Sequence, residues 1–167
     1  MAKEKRVRDI MGFSQMVEMG HESTVKEVVA AALPALKAGY NPTIVVKERD
    51  NIIGVLCWND LLNVLMPPYT KGEIKVEIFW EGLFLDQWRT IAELNVKDAM
   101  RSPVSVDIDD TLAKVAYTLI ESKMSSVLVT DRGKMVGMIG AGDLFNELYE
   151  CPVSEFNANH GSLPLAK

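Results

Sequence analysis

The chain repeats itself. Val7-Arg-Asp-Ile-Met11 returns as Val96-Lys-Asp-Ala-Met100, and Thr24-Val-Lys-Glu-Val-Val29 as Thr111-Leu-Ala-Lys-Val-Ala116. Asn41-Pro-Thr-Ile-Val-Val46 matches Ser125-Ser-Val-Leu-Val-Thr130. Ile53-Gly-Val-Leu-Cys-Trp-Asn-Asp-Leu61 matches Val136-Gly-Met-Ile-Gly-Ala-Gly-Asp-Leu144. Four blocks in one order mean a duplicated unit, and a duplicated unit must bury its apolar surface against its twin. A single copy of about 55 residues would bury only about 60% of its unfolded surface and be marginal alone.

Each copy reads as β-α-β-β-α. A polar lead ends in Met, followed by a short extended piece, Gln15 to Glu18 or Pro103 to Val106. Thr111 then caps a helix with apolar residues at Leu112, Val115, Ala116, Leu119 and Ile120, which is helical spacing. The matching helix from Thr24 carries Pro34, which predicts a kink or break near Leu33. A hairpin pairs 43–46 with 52–56, and 127–130 with 135–139, through turns rich in Asp, Asn and Gly. Its strands are continuous apolar runs, so both faces of the sheet are covered. A last helix begins near Asn59 and near Asp143. The fold class is therefore α/β (α+β), two pseudo-symmetric repeats packed sheet to sheet. The divisions are 1–66, repeat one; 67–95, an aromatic-rich insert; 96–150, repeat two; and 151–167, a polar tail expected to fray or to be borrowed by a partner. In the insert, Lys75 to Phe79 alternates like a strand, while Leu83 to Leu94 suits a helix. Its aromatic residues suit core or interface better than a ligand cage.

Among 167 residues no apolar run reaches the roughly 18 of a membrane helix, and no secretory h-region follows the charged start. Cys57 and Cys151 have neither the number nor the spacing of a disulfide framework or metal site, which suits a reducing cytoplasm. A net charge of -5 without a basic block argues against nucleic acid as the main partner. His21 and His160 cannot assemble a catalytic triad with any base or nucleophile at useful spacing. Neither a P-loop nor a dinucleotide fingerprint is present. The chain is expected not to be an enzyme, and to need no cofactor.

Two copies that each open with V-x-D-x-M and close with G-h-h-x-x-x-D (h apolar) resemble a tandem pair of CBS domains, the Bateman module. The resemblance covers about 7–65 and 96–149. It implies clefts between the copies that bind adenosine-containing ligands such as AMP, ADP, ATP or S-adenosylmethionine. It also implies a homodimer and an unidentified target protein that reads the ligand state. The ribose would sit on Asp60 or Asp143. Val55 and Leu56, or Met138 and Ile139, would flank the adenine. Ser102, Pro103 and Val104, with the segment 14–16 in the first copy, would supply backbone groups to the base edge. So would Asn41, Pro42 and Thr43, and Ser125, Ser126 and Val127.

Two positions depart from the family pattern. Its usual Thr or Ser three residues before the Asp is replaced by Cys57 and Gly140, a weak donor and no side chain at all. Its frequent basic residue before the Asp is replaced by Asn59 and Gly142. Gly140-Ala-Gly142 can offset the loss by close backbone approach, and Lys123 and Arg101 are candidate charge partners. The second copy is expected to be the occupied one, because Trp58 and Pro42 crowd the first. Asp60 and Asp143 also suit plain helix caps, which leaves a rival reading: a ligand-free dimeric interaction scaffold.

Overall fold

The strands form because their residues can be buried on both faces. The computed structural model describes residues 4–12, 16–71, 73 and 78–151. Thr43, Ile44, Val45 and Val46 are all buried, as are Ser126, Val127, Leu128 and Val129. β1 (Met16–Gly20) runs parallel to β2 (Thr43–Glu48), which pairs antiparallel with β3 (Asn51–Leu56). β4 (Ser105–Asp107), β5 (Ser126–Asp131) and β6 (Lys134–Gly140) repeat that order and those directions. Arg132 and Gly133, at φ 51 and 77, close the second hairpin in the left-handed region that suits the twist of the flanking strands.

Helices flank both sheets: α1 (Val7–Ile10) and α2 (Val25–Lys37) before the first hairpin, α3 (Trp58–Leu65) after it, and α4 (Leu83–Ile91) in the insert. α5 (Leu112–Ser122) and α6 (Ala141–Glu150) complete the second copy. Thr24 and Thr111 cap as their side chains require, accepting from the Glu27 and Lys114 N–H groups, each at 3.2 Å.

Pro34 does not break α2, which runs on to Lys37. Its missing N–H would have met the Ala30 carbonyl, and Ala30 is exposed, so water can serve that acceptor. The hairpins correspond one residue differently from the sequence match. Both carry a register shift, between Val46 and Lys47 and between Val129 and Thr130, which aligns Thr43 with Ser126 rather than with Val127. The expected insert helix is α4, packed against α3. The alternating stretch at Lys75 to Phe79 falls largely outside the described residues, as does the 14–16 segment, and the tail from Pro152 falls wholly outside them.

The two copies trade their leads. α1 precedes the first sheet but docks on the second copy: the Val7 N–H donates to the Asp110 carbonyl at 3.2 Å, and the Arg8 N–H to the Ile108 carbonyl at 3.0 Å. Reciprocally, the Val96 N–H donates to the Ser23 carbonyl at 2.8 Å, and the Val25 N–H to the Leu94 carbonyl at 2.9 Å. Val7 is fully buried in a core with Val106, Val115, Val127 and Ile139, whereas Val96 is fully buried with Val25, Val28, Ile44 and Leu56. Ion pairs fasten the exchange at the surface, Arg8 with Asp109 and Lys5 with Glu147. The hydrogen bond to Glu147 raises the Lys5 pKa above its ordinary value. Val45 and Val55 of the first sheet join the second copy's core, so the two sheets share one interior. At their junction the Thr43 and Ser126 hydroxyls, both buried, stand 2.7 Å apart.

The V-x-D-x-M and G-h-h motifs explain each other in this exchange. Met100 packs on Gly54, and Met11 on Gly137. Met100 fills a gap at Gly54 that a β-carbon would close, whereas Met11 lies at ordinary contact distance from Gly137. At Gly54 the motif glycine is thus a packing device.

Candidate functional site

The two repeated aspartates stand where a buried strand turns into a helix. Leu56 and Ile139 are fully buried, and the next residues, Cys57 and Gly140, are the N-caps of α3 and α6. Asp60 and Asp143 fold back from the third helical position. The Cys57 N–H donates to Asp60 Oδ2, and the Gly140 N–H to Asp143 Oδ2, both at 2.8 Å. Each carboxylate therefore caps its helix through one oxygen, and near a helix start its charge is also favoured by the dipole.

The leads bring the second half of each site from the opposite copy. Arg101 follows Met100 and pairs with Val55 through two backbone hydrogen bonds of 2.9 and 3.0 Å. Gly12 follows Met11 and bridges to Met138, the position equivalent to Val55. The neighbours of the two aspartates consequently differ. Arg101 places Nη2 3.2 Å from Asp60 Oδ2 and 3.8 Å from Cys57 Sγ, and its Nη1 donates to the Ser122 carbonyl. At Gly12, a β-carbon would stand 3.0 Å from Asp143 Oδ1. One aspartate meets a guanidinium and its twin meets bare backbone.

The remaining candidates distribute along the same seams. Val55, Leu56, Val127, Met138 and Ile139 are buried and belong to the cores; Cys57 is also buried, as a small apolar residue would be. Thr43 and Ser126 turn their hydroxyls toward one another. Pro42 is buried, while Asn41, Ser102, Pro103 and Ser125 are exposed and Val104 is half-buried. The carbonyls of Val104 and Ser125 accept from the Leu128 and Ala141 N–H groups, both at 3.1 Å. Two donors at the start of α6, those of Gly140 and Ala141, are therefore already engaged. Lys123 ends α5 at φ 55, exposed and without an ion pair among the described residues. Sequence reading singled out Arg101 but not its partner, and missed Gly12. Their signal was the shared position after the motif methionine.

Residues 96–150 match the family model of the CBS domain. A CBS-domain-containing protein of Thermotoga maritima has a similar structure, at 19% identity and TM-score 0.65, covering 91% of this chain and 99% of that one. So does a CBS domain protein of Pyrobaculum aerophilum complexed with AMP, at 19% identity and TM-score 0.59, covering 88% of this chain and 100% of that one. The cytosolic domain of the Mg2+ channel MgtE in complex with ATP is similar at 20% identity and TM-score 0.57, covering 87% of this chain and 49% of that one. No curated protein sequence matches significantly. The second copy is a CBS domain, and the chain has the fold of a tandem CBS pair. Among the described residues no helix is long and apolar enough to cross a membrane.

Proposed function

We propose that the chain is a non-catalytic cytoplasmic regulator that binds an adenosine nucleotide in the seams between its copies and passes the bound state to a partner protein. The observation that carries this reading is the duplicated site: a carboxylate at a helix start, faced by the other copy's lead. A ligand held by both would change how the copies sit against one another, provided that it binds one arrangement better than the other. The AMP and ATP complexes of structures with the same fold support the ligand class. Asp143 would take two ribose hydroxyls on its carboxylate, with Met138 and Ile139 flanking the base. A homodimer is part of this reading, because Tyr117, Ile120, Phe145, Leu148 and Tyr149 stand exposed on α5 and α6.

Thermal unfolding of the chain against AMP, ADP, ATP and S-adenosylmethionine tests the reading. Ligand at 100 times its dissociation constant adds about 2.7 kcal/mol, or some 5–10 °C in a chain of this size. No shift at millimolar concentration would remove the sensor and leave the scaffold, which the capping hydrogen bonds of Asp60 and Asp143 already favour. Asp143→Ala separates the two further. A cap alone loses about 1 kcal/mol of stability, whereas a ribose anchor also loses the ligand-induced shift.

A further inference from the structure

The two seams have been given unequal chemistry, and Arg101 makes the difference. In the first seam its guanidinium lies on Asp60 Oδ2, the oxygen that also receives the Cys57 N–H. The Asp60 side chain is only 17% exposed, so the guanidinium covers a carboxylate that water reaches poorly. The Arg101 Nε, by contrast, is buried with no hydrogen-bond partner among the described residues. A buried donor left unpaired is unfavourable. The present seat of the guanidinium therefore leaves something to be gained by moving. In the second seam the same position is Gly12, with no side chain to compete for Asp143.

Resting on the nucleotide reading above, the geometry points to Arg101 as a latch that restricts the first seam to phosphorylated adenosine ligands. A ribose whose two hydroxyls take both Asp60 oxygens must displace the guanidinium from Oδ2. Adenosine displaces it and returns nothing, leaving the cation without its carboxylate and with the Ser122 carbonyl alone as a firm acceptor. A nucleotide returns a phosphate, which a guanidinium binds through paired N–H groups as well as it binds a carboxylate. The second seam makes no such demand, so one chain carries a selective site and a permissive one.

The test isolates the first seam with Asp143→Ala in the full chain and compares AMP with adenosine by isothermal titration calorimetry. The Asp143→Ala protein is expected to bind AMP and to bind adenosine at least about tenfold more weakly, the scale of one charge-assisted hydrogen bond. Adding Arg101→Gln should erase that preference, while Arg101→Lys, which keeps the cation, should retain most of it. Circular dichroism on each variant ensures that the comparison is made on folded protein. An unchanged AMP-to-adenosine ratio in Arg101→Gln overturns the latch. AMP binding to the parent chain that vanishes with Asp143→Ala also overturns it, by showing that the first seam is not a site, while leaving the nucleotide reading intact. Failure of the parent chain to bind any adenosine compound overturns both.

Discussion

Replacing Gly54 with alanine is expected to be among the most damaging single-methyl additions in this chain. The new β-carbon would overlap Met100 Sδ and stand 2.8 Å from its Cγ and 3.1 Å from its Cβ. The far end of a methionine swings aside easily, but its Cβ moves only with the backbone. That backbone is fixed next door by the paired hydrogen bonds between Arg101 and Val55. Overpacking of this kind costs about 1–3 kcal/mol, and this site belongs at the upper end, a fall of roughly 6–12 °C in Tm. The twin substitution Gly137→Ala meets Met11 Sδ at 3.4 Å, an ordinary contact, and should cost less than half as much. Chemical denaturation of both variants checks the contrast. Equal losses would mean that the glycines act through the backbone and not through the methionines packed on them.

The exchanged leads make a second, less intuitive expectation. Val7 is joined in sequence to the first copy but buried in the second copy's core, and Val96 the reverse. Truncating either fully buried valine to alanine should cost about 2 kcal/mol, near the low end of large-to-small core changes. The two losses should fall in opposite places. Amide exchange under native conditions reports local opening. Val7→Ala should speed exchange in β5 and β6 and spare β2 and β3, whereas Val96→Ala should do the opposite. Faster exchange in the sheet nearest in sequence would show that the leads do not exchange in solution.

Much of this architecture could be read from the residues, because its signals are local. Thr24 and Thr111 announce their helices through side chains that cap within three residues, and the apolar hairpins announce buried sheets. Pro34 misled because its cost depends on whether the orphaned Ala30 carbonyl can find water, a matter of exposure rather than of sequence. The hairpin match slipped by one residue because Val-rich strands align about equally well in neighbouring registers; the bulges settle the register. The aspartates were legible as a pair, but their difference was not. Asp60 and Arg101 lie 41 positions apart and meet only because the second copy's lead crosses to the first sheet. Nothing local to either residue encodes that crossing.

That crossing also changes what the linker is for. In a molecule whose halves each surrender a strip of chain to the other, the halves are clasped whether or not a peptide joins them. The connecting stretch between α3 and the second lead is then a tether that keeps the clasped pieces at high mutual concentration. Closing a longer loop adds little entropy cost, about 0.6 kcal/mol for each doubling. The stretch ahead of α4 is thus free to lengthen or shorten, while α4 itself joins the clasp through Ile91, buried in the same core as Val96. This part of the chain can take on new tasks while the two seams stay as they are.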